Sequence, residues 1–103
     1  METLRQRILQ VLEEADRPLT VDEIGAVLDI PVRERKRLYE ELVHLAKTVE
    51  RKSGGTMRIM YEPPRCVHCG YVFKDLKRIR KPSRCPKCKS ERILPPRFIL
   101  LKK

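Results

Sequence analysis

Four cysteines near the middle of the chain constrain its fold more than any other feature of the sequence. They are spaced C-x2-C-x15-C-x2-C, as Cys66, Cys69, Cys85 and Cys88. Two intervening residues place both sulfurs of a pair on one side of a tight turn. Two facing turns then supply four ligands in a tetrahedron, which is the geometry that zinc prefers. We therefore predict one structural zinc ion, with iron as the alternative occupant of the same sulfurs.

The same pattern argues against catalysis. Four cysteines complete a tetrahedral shell, whereas a catalytic zinc keeps an open position and needs a general base nearby. The cysteine pairs lack the βαβ surroundings of a thioredoxin-like redox protein. The sequence also holds no recognisable nucleophile triad, phosphate-binding glycine loop or carboxylate pair. We therefore expect a metal that holds a fold together, in a protein that is not an enzyme.

The N-terminal residues and the hydropathy bear on where the protein works. Residues 1–15 are amphipathic and contain Glu2, Glu13 and Glu14, unlike a secretory signal. No apolar run approaches the roughly 20 residues of a membrane span. These features predict a cytoplasmic protein with no membrane partner, in a compartment where paired cysteines more often bind metal than form disulfides.

Capping patterns mark the helices of the first half. Thr3 with Gln6, and Thr20 with Glu23, have the form of capping boxes, in which each side chain satisfies the other residue's backbone N–H. Apolar residues at helical spacing follow each box. A third helix is predicted to begin near Pro31, because proline is favoured in the first helical turn.

The link between the second and third helices departs from the common helix-turn-helix pattern. After Ile30, the next firmly apolar residue is Leu38, about one helical turn later than usual. The third helix is therefore expected to be longer than a typical recognition helix, or rotated relative to it.

A glycine turn and alternating residues predict a hairpin after the third helix. The turn at residues 53–55 separates candidate strands at residues 48–52 and 56–62. Residues 98–101 are too apolar for a tail in water. We predict that they form a further strand, which returns to pair in the same sheet.

Three helices and a hairpin are the components of a winged helix-turn-helix. The predicted fold class is α+β: a winged helix-turn-helix of three helices plus a β wing, a zinc ribbon inserted in the wing, and a C-terminal strand returning to the wing sheet. The corresponding domains are the winged helix-turn-helix at 1–62, the zinc ribbon at 63–96, and the C-terminal strand at 97–103, which packs back on the winged helix.

The charge of the chain is concentrated in its second half. Residues 1–50 carry eight Lys/Arg and eleven Asp/Glu, a net charge of −3, whereas residues 51–103 carry sixteen and three, a net charge of +13. Such a basic segment is either a solvated charged surface or a surface that contacts phosphates. Few aromatic residues interleave with the cations, so stacking on single-stranded bases is not strongly indicated.

The knuckle segments PPRCVHCGYVFK and PSRCPKCKSERILPPRFIL resemble those of a family of small archaeal proteins described as predicted transcriptional regulators. In that family a winged helix-turn-helix is fused to a zinc ribbon of rubredoxin-like type. The resemblance covers essentially the whole chain. It implies a winged helix, a metal site at the four cysteines, and DNA binding.

Two functional hypotheses lead, with RNA binding as a further alternative. The leading hypothesis is a DNA-binding transcriptional regulator whose partner is double-stranded DNA. Its expected contacts lie on the third helix, in the wing and in the ribbon loop: Arg33, Arg35, Lys36, Arg37, Arg51, Lys52, Arg58, Lys77, Arg78, Arg80 and Lys81. The alternative is a protein-interaction module of a larger transcription or RNA-processing assembly, favoured by the acidic helical half. The oligomeric state stays open, with a homodimer as one alternative.

Overall fold

Three helices, a three-stranded sheet and a two-stranded ribbon form the described part of the chain, which is residues 3–74, 76 and 78–102 of a computed structural model. The helices are α1 (Leu4–Glu14), α2 (Val21–Val27) and α3 (Arg37–Lys52). The strands are β1 (Leu19–Thr20), β2 (Met57–Glu62), β3 (Arg65–Cys66), β4 (Ile93–Leu94) and β5 (Arg97–Lys102). The predicted combination of three helices with small sheets in an α+β chain is confirmed.

The first two helices begin at the predicted capping boxes. The Thr3 hydroxyl accepts a hydrogen bond from the Gln6 N–H at 3.2 Å, and the Gln6 side chain accepts one from the Thr3 N–H at 2.9 Å. Thr20 and Glu23 repeat this exchange at the start of α2. A turn follows α2, in which Asp29 adopts a left-handed φ of 56°. Asp tolerates this conformation better than most residues do.

The third helix differs from its prediction at both ends. The predicted start near Pro31 is wrong, because Pro31 has an extended ψ of 145° and precedes a 3-10 turn at Val32–Glu34. The predicted strand at residues 48–52 is also wrong, because these residues form the last turns of α3. Val49 is buried there, in helical register with Leu45. Packing of this apolar face decides the structure against the local strand preference.

The last strand occupies the centre of the main sheet. The strand order is β1-β5-β2, and β5 is antiparallel to both neighbours. Phe98 pairs with Leu19 on one side and with Tyr61 on the other. The expectation that residues 98–101 pair with residues 56–62 is confirmed by this register. The cysteine segment therefore connects two neighbouring strands of one sheet.

The described residues form two separate apolar cores. The larger core lies between the helices and the main sheet, and its buried residues are Ile8, Leu12, Leu19, Val21, Ile24, Leu28, Leu38, Leu42, Leu45, Val49 and Phe98. The smaller core surrounds the cysteines, with Phe73 and Ile93 buried beside Cys66 and Cys85. Among the described residues, no helix combines the length and apolar character that crossing a membrane requires.

Arg35 fastens the 3-10 turn to α2. Its Nε donates to the Ile30 carbonyl at 3.0 Å, and its guanidinium lies 3.4 Å from the Asp22 carboxylate. The side chain is only 19% exposed. Gly25 makes room for it, because a Cβ at that position would lie 2.5 Å from the Arg35 Nε. Arg35 therefore has a structural use at the link between α2 and α3.

We expect Arg35→Ala to lower the free energy of unfolding by about 1–2 kcal/mol, because the half-buried Ile30 carbonyl loses its donor. Chemical denaturation measures this change. The matched control is Arg33→Ala, since Arg33 is exposed in the same turn and its loss should cost less than about 0.5 kcal/mol. Equal stability of the two variants would contradict the structural role.

Candidate metal centre and basic groove

The four cysteines come from two turns with the same hydrogen-bond pattern. The Gly70 N–H donates to the Cys66 carbonyl at 3.0 Å, and the Lys89 N–H donates to the Cys85 carbonyl at 2.9 Å. Both donor residues are left-handed, with φ of 79° at Gly70 and 67° at Lys89. A glycine signals this conformation in the sequence, whereas the lysine gives no such signal.

The two turns bring all four sulfurs together. The Sγ atoms of Cys66 and Cys88 are 3.5 Å apart, as are those of Cys69 and Cys85, and all four lie within 4.8 Å of one another. Zinc bound tetrahedrally at about 2.3 Å separates its sulfurs by about 3.8 Å, whereas a disulfide requires about 2.0 Å. The predicted site is therefore confirmed: the four cysteines form a structural zinc site.

Backbone N–H groups of both turns point at the sulfurs. The Cys69 N–H lies 3.5 Å from the Cys66 sulfur, and its hydrogen bond lowers the pKa of that thiol. Burial by itself would raise the pKa of the Cys85 thiol. The N–H groups of Cys88 and Lys87, at 3.5 and 3.4 Å, outweigh the burial and lower this pKa to about 6. Because the thiolate is the form that binds metal, these donors favour the ligating form of Cys66 and Cys85.

The coordination shell is closed by sulfur. Within the described residues, the cluster of possible ligands contains these four sulfurs and neither a histidine nor a carboxylate. His68 is exposed in the first turn. Four sulfurs complete a tetrahedral shell and leave no position for water or substrate, which fits a structural role for the metal.

A groove of about 880 Å³ separates α3 from the ribbon loop, which we define as Leu76 and residues 78–81. We call it the α3–ribbon groove. Its walls are Lys36, Tyr39, Glu40, Val43 and His44 on the α3 side, Tyr61 of β2, and the loop residues Leu76, Arg78, Ile79, Arg80 and Lys81.

The ribbon loop touches both cores. Ile79 packs against the helical core, and Leu76 packs against the core around the cysteines. The loop is therefore a bridge between the metal centre and α3. Its cations Arg78, Arg80 and Lys81 are exposed on this bridge.

The floor of the groove is aromatic. The rings of Tyr39 and Tyr61 lie 6.3 and 6.1 Å from the ring of Phe98. Burial raises the pKa of Tyr39 to about 12, and its hydroxyl is neutral at physiological pH, as that of an ordinary tyrosine is. The groove therefore combines two neutral aromatic side chains with four cations, and the Glu40 carboxylate also belongs to its lining.

Four of the predicted nucleic-acid contacts line this groove: Lys36, Arg78, Arg80 and Lys81. Arg37 and Lys52 line a different groove, between α1 and α3. Arg33 and Arg51 are exposed outside both grooves. The other two predicted contacts have acidic neighbours in the chain: Arg35 contacts Asp22, and Arg58 lies 3.2 Å from Glu50. Lys77 lies outside the described residues. The aromatic floor was not foreseen from the sequence, because it joins segments far apart in the chain.

Two family models match the chain over most of its length. Residues 3–57 match the PF0610-like N-terminal domain, and residues 63–103 match the PF0610 rubredoxin-like zinc beta-ribbon domain. The solution NMR structure of protein PF0610 from Pyrococcus furiosus is 31% identical, with a TM-score of 0.71. The match covers 100% of this chain and 95% of that one. No curated protein matches the chain. The chain belongs to the PF0610-like family.

Proposed function

We propose that this protein binds double-stranded DNA and acts as a transcriptional regulator, with the α3–ribbon groove in its interface. The observation that carries the proposal is the convergence of Lys36 with Arg78, Arg80 and Lys81 on one groove. Cations gathered on one surface displace counterions from a phosphate backbone, and this displacement supplies much of the affinity for DNA.

The order of the elements supports the proposal. Three helices, the third of them the longest, precede an antiparallel sheet with the order β1-β5-β2. These are the parts of a winged helix-turn-helix, in which β2 and β5 would form the wing. The 3-10 turn at Val32–Glu34 fills the long interval between Ile30 and Leu38 and delays the start of α3.

In this proposal, α3 and the ribbon loop share the contacts. Arg35 already donates a hydrogen bond to the Ile30 carbonyl and lies beside Asp22. Arg37 lines the other groove, between α1 and α3. Lys36 is therefore the cation at the start of α3 that lines the α3–ribbon groove. The remaining cations of the groove come from the ribbon loop. Phosphate contacts of this kind position a protein on DNA and carry no sequence information themselves.

We expect binding to duplex DNA to weaken steeply as salt rises, by about 0.9 in log–log slope for each phosphate contact. Replacing Arg78, Arg80 and Lys81 together by alanine should lower that slope by about 3 and weaken binding at every salt concentration. Fluorescence anisotropy with a labelled duplex measures both quantities.

The matched control replaces Lys74, Arg84 and Lys87 by alanine, which removes the same charge from exposed ribbon positions outside the groove. We expect a smaller change in slope for this control. Equal effects of the two triple variants, or wild-type binding that does not depend on salt, would contradict the proposed interface.

The aromatic floor favours a second candidate function, a protein-interaction module. Duplex phosphates do not require Tyr39, Val43 or Tyr61, whereas apolar side chains of a partner protein would bury against them. Under this alternative, Tyr61→Ala would weaken association with the partner more than Arg80→Ala does, and nuclease treatment would leave the complex intact.

A further inference from the structure

We infer that two copies of this chain associate through β2, whose outer edge is self-complementary, and form a six-stranded antiparallel sheet around a two-fold axis at Met60. β2 lies at the end of the strand order β1-β5-β2, so β5 is its only neighbour within the described sheet. An edge strand presents backbone N–H and C=O groups that a further strand can pair with.

The backbone groups of Ile59 and Tyr61 face this free edge. In an antiparallel pair, successive residues alternate between bonding to the neighbouring strand and facing away from it. Met57 faces away from β5, because its N–H donates to the Ser53 hydroxyl at 3.0 Å and its carbonyl accepts from that hydroxyl at 3.3 Å. The register from Met57 to Glu62 is unbroken, so Ile59 and Tyr61 share the orientation of Met57.

The free edge is open at its centre and closed at both ends. No backbone bond from another described segment reaches Ile59 or Tyr61 on this side. At one end Ser53 occupies the polar groups of Met57, and at the other Pro63 has no N–H to donate. Pairing between two copies is therefore confined to residues 58–62.

One register uses all the free groups. If Ile59 of one copy lies opposite Tyr61 of the second, both residues of each copy form hydrogen-bonded pairs, and Met60 faces Met60 across the axis. Shifting either way places Ile59 opposite Pro63, or Tyr61 opposite Met57. The first shift leaves the Ile59 carbonyl without a donor, because Pro63 has no N–H, and the second leaves both backbone groups of Tyr61 unpaired, because Ser53 occupies those of Met57. The edge itself therefore specifies the register.

The charges fit the same register. Arg58 of each copy lies directly opposite Glu62 of the other, which gives two cross-strand pairs of opposite charge. Within its own chain, Glu62 contacts Arg97, and Arg58 lies 3.2 Å from Glu50. At the axis, Met60 is 46% exposed and pairs with Ile99 of β5. The two copies therefore place four apolar side chains in one row across the interface.

The first test uses charge reversal in solution without DNA. Arg58→Glu places two carboxylates opposite each other at both pairs, and Glu62→Arg places two guanidiniums there. Each variant alone should raise the dimer dissociation constant about tenfold. An equimolar mixture of the two restores both opposite-charge pairs and should dimerise like the wild type. Sedimentation equilibrium over a concentration series up to about 1 mM measures this.

A monomeric wild type at all these concentrations, or a mixture as weakly associated as either single variant, would overturn the inference. A second test compares two exposed residues on the same sheet face. Met60→Lys places two lysines at the axis and should abolish the dimer, whereas Leu101→Lys, at a position 48% exposed on β5, should leave it intact. Loss of the dimer in both variants, or in neither, would also overturn it.

Discussion

Removing the metal, or replacing Cys85 with serine, is expected to unfold the ribbon while the three helices stay folded. The buried residues of the ribbon core are Cys66, Phe73, Cys85 and Ile93, and its strands β3 and β4 have two residues each. So small a core does not hold a chain segment without the ligand bonds. Metal binding to such a site contributes on the order of 10 kcal/mol to folding.

The helical core should survive because none of its buried residues comes from the ribbon. The unfolded ribbon would become a flexible loop of about 34 residues between β2 and β5, and closing such a loop costs about 3 kcal/mol. The contact of Ile79 with the helical core would also be lost. We therefore expect the metal-free protein to keep its helices but to unfold at lower denaturant concentration.

Hydrogen exchange of the backbone amides resolves the two halves. On chelation, amides at residues 65–74 and 84–94 should lose protection, and those of α1 and α3 should keep most of theirs. Zinc content by mass spectrometry identifies the metal-free state. His68→Ala is the control, because His68 lies in the first turn without being a ligand, and this variant should retain its zinc. Simultaneous loss of protection in the helices would show that the two cores fold as one unit.

The same experiment bears on the proposed interface. Leu76 attaches the ribbon loop to the core around the cysteines, so loss of the metal removes one of its two anchors. Arg78, Arg80 and Lys81 would then belong to a mobile basic loop. Duplex binding should persist weakly through charge alone, with much of the affinity lost to the entropy of ordering the loop.

Features that depend on neighbouring residues could be predicted from the sequence. Both capping boxes join residues three apart, and the turns of the metal site are each set by a pair of cysteines with two residues between them. The return of residues 98–101 to the sheet follows from an apolar segment that has no other place to be buried. In each case one local pattern, or one strong burial requirement, determines the structure.

The errors arose where local preference and packing disagree. Thr48 and Val49 favour strands, and the glycine turn after them resembles a hairpin turn. In the folded chain, Val49 and Leu45 continue the buried face of α3, and this packing outweighs local preference. Pro31 suits the first turn of a helix, but here it is extended and precedes the 3-10 turn.

The groove could be predicted only in part. The charge pattern identified the cations of the groove. It also predicted both Arg35 and Lys36 as nucleic-acid contacts, whereas Arg35 is held beside Asp22 and only Lys36 lines the groove. The aromatic floor depends on Tyr39 of α3 and Tyr61 of β2 both packing beside Phe98 of β5. Such contacts between distant segments leave no periodic signal in a single sequence.

Removing Phe98 is expected to have the largest effect of any single substitution in the helical half. Phe98 is 2% exposed, belongs to the helical core, and lies on β5 between Leu19 of β1 and Tyr61 of β2. Phe98→Ala should lower the free energy of unfolding by about 3–5 kcal/mol. A small domain has only about 5–15 kcal/mol in total, so a large share of its stability would be lost.

Deleting residues 98–103 should unfold the helical half altogether, although these residues follow the metal site in the chain. β1 and β2 pair only with β5 in the described sheet, so the deletion would leave both without a neighbour and expose the core beneath them. Thermal melts followed by helical circular dichroism measure this effect. Leu101→Ala is the exposed control on the same strand, and it should change stability by less than about 1 kcal/mol.

An unchanged melt after the deletion would show that the helices need no central strand. If the helical unfolding transition disappears after the deletion but persists after chelation, the C-terminal half makes two separate contributions. β5 completes the helical core, and the ribbon inserted before it depends on the metal.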